Sequence, residues 1–156
     1  MQLRTDVRWG VLYYPLIVRP PGSGDVQMGL ARMLPQAEML VVTTPALAAQ
    51  KVATRVADMA RRSYMKVVGV VENMSWFRGD DGVEYEIFGS GGGQKLADQI
   101  KVPWLGRIPL VPALREGGDD GHPDVVAYPP DQAAQQVAAI RNTHHPSAHP
   151  RHARPP

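Results

Sequence analysis

The chain of 156 residues is long enough for one domain with its own core, and its 44% hydrophobic and 21% charged residues exclude a disordered chain. A net charge of +2, with no basic helix face, argues against nucleic acid as a partner. The absence of cysteine excludes disulfides and thiolate-ligated metal or cluster sites made by this chain alone. No apolar run approaches the roughly 20 residues of a membrane span, so we expect a cytoplasmic protein without a membrane partner.

Short apolar runs, often β-branched, predict four strands covered on both faces: Tyr14–Val18, Glu38–Thr44, Lys66–Glu72 and Val102–Ile108. Helical patterns lie between and after them: Val26–Leu34, Ala46–Ser63, Gln94–Ile100 and Asp131–Ile140. This alternation predicts an α/β fold, mostly a parallel sheet with helices on both faces. We assign residues 1–140 to one domain and 141–156, rich in proline, histidine and arginine, to a disordered tail.

The stretch "LIVRPPGSGDVQ" follows the first predicted strand, at the sheet edge where ligands bind in open parallel sheets. Gly22 and Gly24 could present backbone N–H groups to a terminal phosphate, while Ser23 or Asp25 caps the next helix. The alternative is a tight strand-to-helix turn with Asp25 as its N-cap. Local sequence alone favours this simpler interpretation.

Two further stretches follow predicted strands. In "VENMSW", Asn73 could pair with an adenine edge through its amide, although such an asparagine more often caps or turns the chain. In "RIPLVPALREGG", the prolines would hold a rigid loop able to lie against a base, although connecting loops often have this composition.

The glycine-rich stretch "EIFGSGGGQ" precedes the third predicted helix. It falls short of a dinucleotide-binding fingerprint because Gln94 stands where the last glycine is required, so we interpret it as a flexible helix-entry loop. The tail histidines could bind a transition metal, but a solvated tail is the simpler account because no fold positions them: His144, His145, His149 and His152.

Six segments in this order resemble the Mrp/ApbC-type iron–sulfur cluster carrier ATPases, relatives of the MinD/ParA group of deviant P-loop ATPases. They are "WGVLYYPLIVRPPGSGD", "VVTTP", "KVVGVVENMSWF", "YEIFGSGGG", "VPWLGRIPL" and "LREGGDDGHP". The resemblance covers roughly Asp6 to Ile140 and implies a partial P-loop NTPase fold that lacks the first, Walker A strand. "EIFGSGGG" and "REGGDDG" favour the carrier branch over a partition or cell-division ATPase.

The resemblance also implies roles for individual residues. Pro20–Asp25 resembles the switch II turn, Gly22 the sensor of the γ-phosphate, and Ser23 a neighbouring nucleotide contact. By the same resemblance, the adenine would be held by Asn73, Pro109, Leu110 and Pro112. The implied cofactors are ATP and Mg²⁺, with an iron–sulfur cluster as cargo.

The chain departs from the family pattern at the groups that carry catalysis. It contains no Gly-Lys-Ser/Thr loop, Val18 stands where the family has the magnesium-associated aspartate, and Ala46 replaces an expected glutamine. The segment between Phe77 and Tyr85 has no Cys-x-x-Cys pair. Without the P-loop strand, Tyr14–Val18 and Glu38–Thr44 would either close up or leave apolar edges unpaired, and unpaired edges favour association.

Two functions remain open. The first is the family's ATP-dependent assembly and transfer of iron–sulfur clusters to apoproteins, by a homodimer or together with an intact family member. The alternative is a non-catalytic remnant or interaction module that cannot hydrolyse ATP, because phosphoryl transfer depends on the missing lysine and magnesium ligands.

Overall fold

The computed structural model describes residues 16–18, 24–127, 129 and 131–144. Its helices are α1 (Gly24–Met33), α2 (Leu47–Arg62), α3 (Gly92–Ile100), α4 (Pro112–Asp119), α5 (Asp124–Ala127) and α6 (Gln132–His144). Its strands are β1 (Glu38–Thr43), β2 (Lys66–Glu72), β3 (Phe77–Arg78), β4 (Glu84–Tyr85) and β5 (Trp104–Arg107). Helices therefore alternate with the strands of the main sheet, as the sequence predicts.

The main sheet consists of three parallel strands in the order β1-β2-β5. Its central strand β2 is valine-rich, which suits a strand covered on both faces. Gly69 lies where β5 approaches β2 closely, since a Cβ there would stand 2.6 Å from the Leu105 side chain. The parallel register slips between Met39 and Leu40, so β1 and β2 are joined through a bulge.

Helices cover both faces of this sheet. On one face, α2 and α3 pack against β1 and β2 around a buried cluster: Val41, Ala53, Ala57, Val70, Leu96, Ala97 and Ile100. On the opposite face, Val71 and Leu105 pack against Ile140 of α6. Val70 and Val71 belong to different clusters because successive strand residues point to opposite faces. The predicted α/β fold with helices on both faces is thus confirmed.

The predicted elements match the observed ones closely within the described ranges. All four predicted helices and the last three predicted strands are present, with ends shifted by at most four residues. The largest shift is in α6, which continues to His144, so residues 141–144 of the assigned tail are helical. Residues 145–156 lie outside the described residues, and disorder there stays a prediction. The sequence did not predict α4, α5 or the small antiparallel hairpin of β3 and β4.

The first predicted strand, Tyr14–Val18, is not borne out by its described part. Leu16, Ile17 and Val18 have no strand assignment, and their exposed fractions are 92%, 52% and 94%. No neighbouring strand is paired with them in the described sheet, so their apolar side chains have no face to cover. Tyr14 and Pro15 lie outside the described residues.

Candidate functional site

The carboxyl ends of β2 and β5 continue as two hydrogen-bonded segments. The N–H of Ile108 donates to the carbonyl oxygen of Glu72 at 2.8 Å, and the N–H of Ser75 donates to that of Ile108 at 3.0 Å. The N–H of Leu110 then donates to the carbonyl oxygen of Trp76 at 2.7 Å. These bonds place the "ENMSW" turn beside the loop that follows β5, at the edge where parallel sheets bind ligands.

Asn73 lies at the junction of β1 and β2. Its N–H donates to the carbonyl oxygen of Thr43 at 2.7 Å, which ties the turn to the end of β1. Its side-chain Oδ1 accepts the N–H of Met74 at 2.9 Å. Met74 has a left-handed backbone, with φ of 55°, so the asparagine side chain supports a strained turn. Among the described residues, its Nδ2 group has no hydrogen-bond partner.

The proline loop after β5 supplies an apolar surface beside this turn. Pro109 is buried and Leu110 half-buried. Pro112 is the first residue of α4 and exposed, where its missing N–H costs the helix no hydrogen bond. The structure therefore brings Asn73, Pro109 and Leu110 onto adjacent segments, with Pro112 at the outer end.

Sequence reasoning missed the buried acid of this site, Glu72, whose exposed fraction is 2%. Its Oε1 accepts the hydroxyl of Ser75 at 2.9 Å, and its Oε2 accepts the N–H of Gly93. A carboxylate is tolerated here because both oxygens are hydrogen-bonded and one faces the N-terminus of α3. The available signal was an acidic residue ending an otherwise apolar strand.

The glycine-rich loop is shaped by close approach rather than by flexibility alone. Gly89 and Gly91 have φ of 85° and 67°, a backbone that favours glycine. A Cβ on Gly93 would stand 2.7 Å from both the Glu72 Cβ and the Trp104 ring, and one on Gly92 would meet Pro45. These two glycines allow the start of α3 to contact the sheet edge.

A cavity of about 380 Å³ opens beside this loop. Its lining contains Glu72, Gly91, Gln94, Trp104, Gly106, Arg107 and Gln136. The guanidinium carbon of Arg107 also lies 4.4 Å from the centre of the Trp76 ring, a cation–π contact that orients the cation. The predicted adenine residues do not line this cavity, so the predicted site is a surface formed by the turn and the proline loop.

The predicted phosphate contacts Gly22 and Ser23 lie outside the described residues. Within the described ranges, no group of three or more histidine, aspartate or glutamate side chains is placed to hold a metal ion. Of the tail histidines, only the backbone of His144 is described. In the same part of the chain, no helix is both long enough and apolar enough to cross a membrane.

Comparisons with known proteins agree with this architecture. Residues 1–144 match the model of the family "ParA: NUBPL iron-transfer P-loop NTPase". The iron–sulfur cluster carrier protein of Mycobacterium tuberculosis H37Rv is 43% identical over 145 residues, covering 89% of this chain and 38% of that protein. The carrier protein of Synechocystis is 42% identical over 141 residues, covering 89% of this chain and 40% of its own length. The chain thus spans about two-fifths of these relatives.

Solved structures show the same fold. The cell-division ATPase MinD of Pyrococcus furiosus superimposes with a TM-score of 0.55 and 25% identity, covering 71% of this chain and 43% of MinD. A nucleotide-binding protein from Archaeoglobus fulgidus, solved in complex with ADP, superimposes with a TM-score of 0.52 and 25% identity. That match covers 65% of this chain and 42% of the archaeal protein.

Proposed function

The chain belongs to the iron–sulfur cluster carrier family of MinD/ParA-type P-loop NTPases, and on that premise we propose that it binds ATP and takes part in delivering iron–sulfur clusters to apoproteins. The observation that supports nucleotide binding is the pair of hydrogen-bonded segments at the sheet edge. They hold Asn73 beside Pro109 and Leu110, at the edge where ligands of open α/β sheets bind.

The adenine ring would lie between this turn and the proline loop. A base needs apolar surface against its faces and a donor and acceptor at its edge. Pro109, Leu110 and Pro112 offer the apolar surface. The Nδ2 group of Asn73 can donate a hydrogen bond, and its Oδ1 retains a lone pair after accepting the N–H of Met74.

Gly22 and Ser23 would contact the phosphates through the turn that resembles switch II. The sequence carries valine at position 18 and no Gly-Lys-Ser/Thr loop, so this chain alone supplies neither the lysine nor the magnesium ligands that neutralise phosphate charge. We therefore expect weak ATP binding and no hydrolysis by the chain as given. Mg²⁺ would reach the site only with the nucleotide.

The cluster is cargo, and its ligands must come from a second molecule. The chain has no cysteine, so it offers no thiolate to iron. A partner with cysteines, such as an intact family member, would hold the cluster while this chain contributes nucleotide-dependent contacts. Apoprotein clients and a cytoplasmic location follow from the family proposal in the same way.

The alternative function is a non-catalytic interaction module of the family. It is favoured by the same departures, the missing P-loop lysine and Val18, and it requires no nucleotide. Nucleotide binding therefore separates the two proposals.

Calorimetry with Mg-ATP tests the proposal directly. We expect a Kd on the order of 100 μM for the chain, and at least about tenfold weaker binding for Asn73→Asp. This variant keeps Oδ1 as acceptor for Met74 but removes the Nδ2 donor. Asn142→Asp, the same change at an exposed position of α6, is the matched control and should bind as the parent does. Absence of ATP binding by the parent chain and by Val18→Asp would favour the module.

A further inference from the structure

We propose that two copies of this chain associate through the outer edge of β1, forming a continuous sheet with an antiparallel β1–β1 junction. The strand order would be β5-β2-β1 in one copy, followed by β1-β2-β5 in the other. This association is separate from the proposed nucleotide site and does not depend on it.

The first observation is the exposure of β1. It is the terminal strand of the described sheet, and its residues alternate sharply between buried and exposed. Val41 and Thr43 are 4% and 5% exposed, whereas Leu40 and Val42 are 44% and 57% exposed. The outward face of this edge strand is therefore apolar and uncovered.

The second observation is the direction of the backbone groups. The carbonyl oxygen of Thr43 accepts the N–H of Asn73, which follows β2, so the polar groups of Thr43 point toward β2. The N–H and C=O of one strand residue point to the same side, and this side alternates along the strand. Leu40 and Val42 therefore direct their N–H and C=O groups toward the outer edge.

These two patterns make β1 complementary to itself. A two-fold axis through Val41 places Leu40 opposite the partner's Val42, and each such pair can exchange both backbone hydrogen bonds. The exposed Leu40 and Val42 side chains of both copies then form one apolar patch, because directly opposed residues of an antiparallel pair lie on the same face. Val41 lies opposite the partner's Val41 at the centre.

A second copy fits this edge better than a charged partner does. Natural edge strands are usually blunted by lysine, proline or inward-facing charge, and β1 has no lysine, arginine or proline. Its one charged residue, Glu38, forms an ion pair with Lys66 at 2.7 Å. In the proposed register Glu38 lies opposite the partner's Thr44, so no like charges meet. The junction buries less than the roughly 1,200 Å² of stable dimers, so we expect reversible association.

Analytical ultracentrifugation across the micromolar range tests the association. We expect a monomer–dimer equilibrium whose Kd rises at least about tenfold in Leu40→Lys and in Val42→Pro. The proline removes an edge-facing N–H without breaking the ladder to β2. The control is Val126→Lys, which places the same charge on another exposed valine, 79% exposed in α5, and should leave the Kd unchanged.

A single introduced cysteine tests the register, because the chain contains none of its own. Val41→Cys places two thiols opposite each other at a non-hydrogen-bonded position, where cross-strand Cα atoms lie about 4.5 Å apart, so mild oxidation should yield a covalent dimer. Thr43→Cys is equally buried but lies opposite the partner's Met39, and it should yield little.

A monomer at all concentrations would overturn the proposal. So would a dimer whose Kd is unaffected by both edge variants, because its interface would then lie elsewhere. Efficient crosslinking of Thr43→Cys but not of Val41→Cys would overturn the antiparallel register.

Discussion

The buried carboxylate of Glu72 accepts the backbone N–H of Gly93, linking the end of β2 to the start of α3. Gly93 can approach because it has no side chain, and Glu72 can be buried because the helix terminus and Ser75 satisfy its oxygens. Each residue thus accounts for the other. The contact also fixes the base of the turn that carries Asn73, so the candidate site depends on it.

Gly93→Ala should destabilise the fold. The new methyl group would stand 2.7 Å from the Glu72 Cβ and the Trp104 ring, and overpacking of this kind costs about 1–3 kcal/mol. Urea denaturation measures the loss. The control is Gly118→Ala in α4, where a Cβ meets nothing within 4 Å, and stability should rise by about 0.5–1 kcal/mol. Equal effects at both positions would contradict the close approach.

Glu72→Gln should be mild, whereas Glu72→Ala should be severe. The amide oxygen of the glutamine variant can accept the N–H of Gly93, while its NH₂ donates to Ser75 Oγ, whose hydroxyl can turn to the Glu72 carbonyl at 3.0 Å. We expect a loss of less than about 1 kcal/mol for glutamine and about 2–4 kcal/mol for alanine, which leaves a cavity and an unpaired donor.

Ser75→Ala tests the same network. In that background the glutamine amide loses its acceptor, so Glu72→Gln should cost at least about 1 kcal/mol more than it does alone. A double-mutant cycle in urea measures this coupling. Strict additivity would show that the Ser75 hydroxyl does not pair with the side chain.

Helix α2 should be stabilised by a new N-cap. Ala46 occupies the cap position with φ of −64° and ψ of 135°, makes no side-chain capping bond, and is followed by no acidic residue in the first turn. Ala46→Asp supplies an acceptor and a charge that favours the helix N-terminus, so we expect a gain of about 0.5–2 kcal/mol in thermal or urea unfolding. Ala46→Val, which cannot accept a hydrogen bond, should bring no such gain.

The hairpin of β3 and β4 should respond to pH through Asp81. The Tyr85 hydroxyl, 2.6 Å from Oδ2, and then the Val83 N–H lower the pKa of Asp81 below its ordinary 3.8. A lowered folded-state pKa contributes stability above the unfolded value, and this contribution is lost as pH falls through the folded value. The same hydrogen bond raises the pKa of Tyr85 above 10.0, so its contribution is lost in alkali.

An NMR titration of the Asp81 carboxyl carbon tests this assignment. In Tyr85→Phe the pKa of Asp81 should rise toward its ordinary value. Tyr64→Phe removes a hydroxyl from a 97% exposed tyrosine and should leave that pKa unchanged. An unchanged value in both variants would mean that the hydroxyl does not carry the shift.

The sequence by itself determined the α/β class, the valine-rich strand Lys66–Glu72, the helices and the family. These follow from local information, because apolar periodicity and turn residues are written along a single segment. The order of segments such as "VENMSW" and "EIFGSGGG" carried the family. Placement of Asn73 and the Pro109 loop at one edge followed from the rule that parallel strands end together.

Only the tertiary structure decided what faces each segment. Glu72 could not be assigned to the core from sequence because its partners, Gly93 and Ser75, become neighbours only after α3 packs on the sheet. The predicted strand at Tyr14–Val18 was not borne out at Leu16–Val18 because an apolar run becomes a strand only where another strand pairs with it. The same rule leaves Leu40 and Val42 exposed on β1: periodicity shows that a face is apolar, but only the fold shows whether anything covers it.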